Sequence, residues 1–280
     1  MNETTSPLTA SASFQESLKA KSYKRLHPNP PVQPIDRHAL LEVDGKPYFF
    51  KGARKPQVNV CMFHDMVGEL ICSRLGTHLG MPVPLMIPHS DPAVGSGFGL
   101  VSEYSGNKSL SPTDDPSLIL NLGDFPKALV FEQWVLNVDD KKDHFLLQPV
   151  GDKFRFWIID HGHTFHSWRK DISPDLSVPE NLLFDASSNH FPYRISNRSE
   201  LESGIALIKG IEDSLVKIIV DESFEDIREI GKSNSLYKTF HKDFFQKEDD
   251  HKKTILKILT VRKDHLEKIM ANKWERPRTL

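Results

Sequence analysis

The sequence predicts an α+β fold in two parts, a strand-rich first part carrying one helix and a mainly helical second part. Three observations carry that expectation. Short apolar stretches flank Asp44-Gly45, as in a tight hairpin. Phe63, Met66, Val67, Leu70, Ile71 and Leu75 then recur mostly at three- and four-residue steps, the period of a helix facing a core. From Phe125 onward the apolar groups are mostly helically spaced, interrupted by two short runs at Phe145-Leu146-Leu147 and Phe154 to Ile159. Strands followed by helices suggest two lobes, and the cleft between lobes is a common place for a ligand.

Residues 1–26 are polar and without clear periodicity, and read as a flexible tail in which Lys19, Lys21, Lys24 and Arg25 are solvated. Pro28, Pro30, Pro31 and Pro34 make an extended segment. The first lobe is expected over 27–104: a hairpin of Leu40–Val43 and Tyr48–Lys51, the helix through Leu75 closed by Gly80, Pro82 and Pro84, and a strand over Phe98–Tyr104. The composition shifts near Gly106, so the joint falls at Glu103 to Asn107. The second lobe, 105–280, opens on a loop and a buried helix over Phe125–Leu136. It carries the hairpin region at 137–165, then a helical stretch from Ile205 to Ile219 and a last helix from Ile255 to Ile269.

The chain has 280 residues, enough for a substantial core, and a net charge of −2 with 26% charged residues. Neither sign dominates, which argues against bulk electrostatic binding of nucleic acid or an anionic membrane. No apolar run approaches the ~20 residues that span a bilayer, and Met1 to Phe14 lack the apolar core of a secretory signal. A cytoplasmic location is expected by default. Cys61 and Cys72 match neither a metal knuckle nor a disulfide framework and read as reduced core thiols.

Two polar clusters abut the apolar runs of the second lobe. Asn137-Val138-Asp139-Asp140-Lys141-Lys142-Asp143-His144 precedes Phe145, and Asp160-His161-Gly162-His163 follows Ile159. An acid at the end of a buried strand is costly unless it meets a cation or is fully hydrogen-bonded, and two acids on one hairpin can converge on one site. Phosphoryl transfer uses such a pair: one carboxylate takes the proton of the attacking hydroxyl, the other holds the metal that bridges the phosphates. It also uses a lysine against the phosphates and a helical glutamate that positions it. Lys51 at a strand end and Glu69 in the first helix have that relation.

Lys51, Glu69, Asn137-x-Asp139 and Ile159-Asp160-His161-Gly162 together resemble the HipA-like branch of the protein-kinase-like superfamily. The run Leu75-Gly76-x-x-Leu79-Gly80-Met81-Pro82-Val83-Pro84 looks like that family's end of the first-lobe helix, and the final helix around Leu259, Arg262 and Leu266 matches more weakly. The resemblance implies a two-lobed kinase-like fold and an ATP-dependent kinase acting on a hydroxyl, with a protein serine or threonine favoured. It puts Asp139 in the catalytic-base position, Asp160 in the metal position, and Lys51 with its partner Glu69 at the ATP phosphates. Glu103 and Tyr104 fall at a hinge that reads adenine through backbone groups. The chain departs from the pattern twice. His144 stands where the family has an asparagine that binds a second magnesium, which shifts the expected preference from Mg²⁺ toward Mn²⁺. No glycine-rich loop precedes Lys51; Gly52 through Gln57 offers a substitute cover for the phosphates.

Other readings of the same residues stay open in the sequence. Lys51 and Glu69 also fit a surface ion pair, and 139–143 a solvated turn. His161, His163 and His166 fit structural roles. His144, Asp160, His161 and His163 fit a transition-metal hydrolase in which a metal-bound water attacks. With the asparagine missing, the chain also fits a pseudokinase that binds nucleotide without turnover.

Overall fold

The computed structural model describes residues 24–27, 38–43, 45–52, 61–90, 98–106, 108–111, 113–138, 142–165, 198–232 and 238–275. Its first part is a five-stranded antiparallel sheet and one long helix. The strands are β1 (Lys24–His27), β2 (His38–Val43), β3 (Lys46–Gly52), β4 (Met86–Ser90) and β5 (Phe98–Glu103), and the helix is α1 (Cys61–His78). The sheet order is β1-β2-β3-β5-β4. The hairpin forms as expected, with Val43 opposite Lys46 so that two residues turn the chain. Two corrections follow. Lys24–His27 pairs with β2, so the segment expected as a loose tail ends in a strand. β4 has no counterpart in the sequence reading. Pro88 argues against a strand, but β4 lies at the sheet edge, where a missing N–H is tolerated.

α1 is buried along most of its length, with Phe63, Leu70, Ile71, Cys72 and Leu75 fully inside. Cys72 is a free thiol, and burial pushes its pKa well up, which suits an inert core group. Phe63 stacks on Phe98 of β5 and on Phe244 of the second part, one continuous core crossing both. Arg74, itself buried, donates to Ser223 Oγ at 3.1 Å and pairs with Asp226, fixing α1 to a helix of the second part.

The second part holds a three-stranded antiparallel sheet and six helices among the described residues. The strands are β6 (Lys108–Ser109), β7 (Phe145–Val150) and β8 (Lys153–Ile158), in the order β6-β7-β8. The helices are α2 (Phe125–Trp134), α3 (Arg198–Lys209), α4 (Asp213–Lys232), α5 (Lys238–Phe245), α6 (Glu248–Asp264) and α7 (Leu266–Glu275). The apolar stretch from Ile205 spans two helices, split after Gly210. The expected last helix is also two, broken at His265. The final helices lock onto α2: Arg262, fully buried, donates to Gln133 O at 2.7 Å, and Trp134 Nε1 donates to Leu259 O at 2.9 Å.

The parts meet where the sequence places the joint. Gly106 has φ +97°, and a Cβ there would lie 2.1 Å from Leu147 O, so the chain can pass this close to β7 only as glycine. Ile158 N–H donates to Pro82 O at 2.7 Å, which ties the α1–β4 connection to the outer edge of β8.

Candidate active site

Lys51 pairs with Leu100 of β5, so its backbone is held inside the sheet. Its ammonium reaches two carboxylates from two other elements, Glu69 Oε1 on α1 and, at 2.5 Å, Asp160 Oδ1 just beyond β8. The structure therefore brings Lys51, Glu69 and Asp160 to one point, across sequence separations of 18 and 109 residues. The two carboxylates differ in access. The Glu69 side chain is 1% exposed and that of Asp160 is 38% exposed. Glu69 Oε2 is buried with no hydrogen-bond partner among the described residues, a costly state that a site awaiting a cation or donor accounts for.

His144 closes a short 3₁₀ turn, Lys142–His144, before β7. Ile159 N–H donates to His144 O at 3.0 Å, a ladder bond that sets His144 beside the start of the Asp160 loop. Its Nε2 lies 3.4 Å from Asp160 Oδ2, and its Nδ1 is buried without a hydrogen-bond partner among the described residues. Burial works against ionisation of Asp160. The Lys51 ammonium outweighs it, His144 and His163 add to it, and the carboxyl is held well below the usual carboxylate range.

Asp160 has φ +66°, an uncommon conformation for a residue with a side chain and less costly for aspartate than for most. His161, the next residue, contacts a different set of groups. Its Nε2 lies 2.7 Å from Glu132 Oε1 on α2, and both side chains are 1% exposed. The other oxygen, Glu132 Oε2, accepts from Asn137 Nδ2 at 2.6 Å. Burial alone would lower the His161 pKa, but the Glu132 carboxylate, helped by Glu69 and Asp160, raises it, which favours the imidazolium beside Glu132. Glu132 thus clamps the start of the 137–144 segment to the Asp160 loop. Val138 N–H to His163 O at 3.4 Å and Phe165 N–H to Val135 O at 3.0 Å hold the same two segments together.

α1 sits tightly on that loop. A Cβ on Gly68 would lie 2.8 Å from Thr164 Oγ1 and 3.1 Å from His161 O, so a side chain at 68 would force Thr164 or the helix to shift.

Of the residues the sequence singled out, Lys51, Glu69, His144 and Asp160 converge. Asp139 lies outside the described residues, as do Asp140, Lys141, His166 and the segment 53–57. Glu103 and Tyr104 lie at the joint, but the backbone of Tyr104 is engaged. Its N–H donates to Pro47 O at 3.2 Å and its carbonyl accepts from Gln148 Nε2 at 2.9 Å. The Tyr104 N–H is thus spent within the fold, while its carbonyl keeps a second lone pair. In the hydrolase arrangement His161 would have only Nδ1 left for a metal, since Nε2 meets Glu132. Among the described residues no group of three or more His, Cys, Asp or Glu is placed to hold a metal ion. No helix there is long and apolar enough to cross a membrane.

No family model matches the chain, and no curated protein matches it. Among solved structures it is similar to the proinflammatory kinase CtkA of Helicobacter pylori, with a TM-score of 0.44 and 11% identity over 88% of this chain and 98% of that one. A score of that size fixes no residue-by-residue correspondence.

Proposed function

We propose that the chain is an ATP-dependent phosphotransferase of HipA-like kinase type, acting on a hydroxyl acceptor such as a protein serine or threonine. The observation that supports this most is the single ammonium of Lys51 set between buried Glu69 and solvent-facing Asp160. Strand, helix and post-hairpin loop each contribute one member, as phosphoryl transfer requires.

The residues present fit a nucleotide with a divalent ion: an ionised, solvent-facing carboxylate at Asp160, an imidazole beside it, and an orphaned oxygen on Glu69. ATP with Mg²⁺ or Mn²⁺ would supply the transferable phosphoryl group and the charge that offsets it. Asp160 and His144 would hold the ion. Lys51 would turn from Asp160 toward the phosphates, kept in place by Glu69. Asp139 would orient the acceptor hydroxyl and take its proton. Glu103 and the joint would bound the base, with carbonyl groups as the available contacts.

The test is incubation of the purified protein with labelled ATP and either ion, followed by intact mass and release of labelled phosphate. The wild type should gain mass in phosphate steps or turn over ATP, and both Asp139→Asn and Asp160→Asn should be silent. A nucleotide-binding protein in which all three are silent would be a pseudokinase, and equal activity in all three would remove both acids from the mechanism.

A further inference from the structure

The sheet β6-β7-β8 has an inner and an outer face. Phe145, Leu147, Phe156 and Ile158 point inward, where Ile119 and Phe125 join them in a core. Strand alternation puts their neighbours on the other side. Val150 lies opposite Lys153, Gln148 opposite Arg155 and Leu146 opposite Trp157, so all of these share the outer face. Residues 118–121 add a further row. Ile119 bridges Phe154 in parallel, Leu120 N–H donates to Phe154 O at 2.8 Å, and the Asn121 amide meets both backbone groups of Phe156. With Ile119 turned inward, Leu118 and Leu120 stand outward beside Lys153 and Arg155.

That face is apolar and basic at once. Among the described residues the exposed large hydrophobics are Leu118, Leu120, Val150, Leu207 and Ile218. The last two lie on α3 and α4, and the first three gather here. Single exposed apolar groups are ordinary, but a set interleaved with cations marks a contact surface. Lys153 and Arg155 are exposed and make no ion pair among the described residues. Asp114 pairs with Lys108 and Asp115 accepts from Ser117 N–H at 2.9 Å, so these acids of the adjoining loop are engaged within it. Arg155 is also held ready. Its guanidinium lies over the Trp157 indole, 5.9 Å from the ring centroid. Trp157 Nε1 donates to Gln148 Oε1 and Gln148 Nε2 to Tyr104 O, each at 2.9 Å, so the indole beneath it is fixed. An arginine arranged before binding loses little freedom when it meets a partner, and its fork matches a carboxylate.

We propose that this outer face docks a segment of a partner protein in which carboxylates are set among large apolar side chains. Lys153 and Arg155 stand two residues apart, about 7 Å, the repeat of an extended chain, so acids at alternate positions of the segment meet both. Leu118 and Leu120 on one side of the cations and Val150 on the other take its apolar groups. Two cations are few for an anionic bilayer, which is bound by clusters of about four to eight, and aliphatic flanks offer bases nothing to stack on. A protein segment fits the face best. None of Lys51, Glu69, His144 and Asp160 belongs to it, and the proposal does not depend on phosphotransfer.

The experiment is selection of a displayed random-peptide library on the full chain, then calorimetric titration of the selected peptides. These should be rich in Asp or Glu beside Leu, Ile or Phe, and added salt should weaken them. Arg155→Glu, Lys153→Glu and Leu120→Ser should each weaken binding about tenfold, with the melting temperature kept because these side chains are exposed. Leu207→Ser and Ile218→Ser, at the other exposed apolar positions, should leave binding unchanged. No selected peptide, selected peptides without acids, or binding unmoved by the Arg155 and Leu120 substitutions would overturn the proposal. So would Arg155-dependent binding of phosphatidylserine vesicles or of a single-stranded oligonucleotide with no peptide selected, which would give the face to a lipid surface or a nucleic acid. Absence of ATP binding would count against the kinase reading alone.

Discussion

Asp160 and His161 are neighbours in the chain and members of two charged clusters with opposite character. Lys51, Glu69 and Asp160 form an open cluster: its Asp160 carboxylate is 38% exposed, and Glu69 keeps an orphaned oxygen. His161, Glu132 and Asn137 form a sealed one, with both members of the ion pair 1% exposed and both Glu132 oxygens engaged. Charges in a sealed, satisfied network have nothing left to bind and serve to fix backbone. Charges with one face in water and one unmet group are placed to receive a ligand. The difference separates a scaffold from a site within a single loop.

The sharpest break in that comparison is Asp160→Asn. Removing the open carboxylate should cost about 10²- to 10³-fold in phosphoryl transfer, by analogy with loss of one preorganised electrostatic group, and Lys51→Met should do the same. Asp160→Asn should leave the melting temperature largely in place, because its carboxylate is the solvent-facing member, whereas Lys51→Met should also lower it by stripping the counter-charge from buried Glu69. A large loss of stability with activity intact would reverse the roles of the two clusters.

The sealed cluster makes the complementary prediction. Glu132→Gln should cost about 3 kcal/mol of folding stability near pH 6, since it leaves His161 buried without its counter-charge. The folded pKa of His161 is raised above 6.5, so the pair's contribution is fully present below 6.5 and is lost as pH rises through the raised value. The gap between wild type and variant in urea melts should therefore shrink toward alkaline pH. A gap independent of pH would mean that the pair is not ionic.

His144→Asn tests how far the open cluster extends. If His144 is a ligand, the wild type should prefer Mn²⁺, and the variant should gain Mg²⁺ use by roughly tenfold in a metal titration of ATP turnover. Identical profiles would remove His144 from the site. The smallest effect is expected at Gly68→Ala, where a gain in helix propensity opposes the contact with Thr164 and His161 O. The net destabilisation should be about 1 kcal/mol, with a fall in activity as α1, which carries Glu69, is lifted from the Asp160 loop.

Much of this was legible in the sequence where local chemistry decides structure. The Asp-Gly turn, the helical spacing from Phe63 to Leu75 and the apolar runs at Phe145 and Phe154 each correspond to an element that forms. Lys51, Glu69 and Asp160 could be grouped because phosphate chemistry demands their types together. Glu132 was missed because it sits in a helix that reads as apolar. The available signal was a carboxylate between Phe131 and Trp134, which must find a cation or donors once buried. β4 was missed because Pro88 speaks against strands and only sheet order shows that it is an edge. The break at Gly210 carries local signals, a glycine after Lys209 and an acidic first turn from Asp213, whereas His265 is no helix breaker. The engaged donor of Tyr104 follows from Pro47, a partner settled only by strand register.

The account turns on which cluster binds and which holds. The direct measurement is thermal unfolding of wild type, Asp160→Asn and Glu132→Gln, each with and without ATP and Mn²⁺. A ligand bound only to the folded state raises the melting temperature by mass action. The wild type should shift upward with ATP and Mn²⁺. Asp160→Asn should keep the unliganded melting temperature and lose the shift, and Glu132→Gln should melt lower yet still shift. An upward shift retained in Asp160→Asn, or no shift in the wild type with any nucleotide, would contradict it.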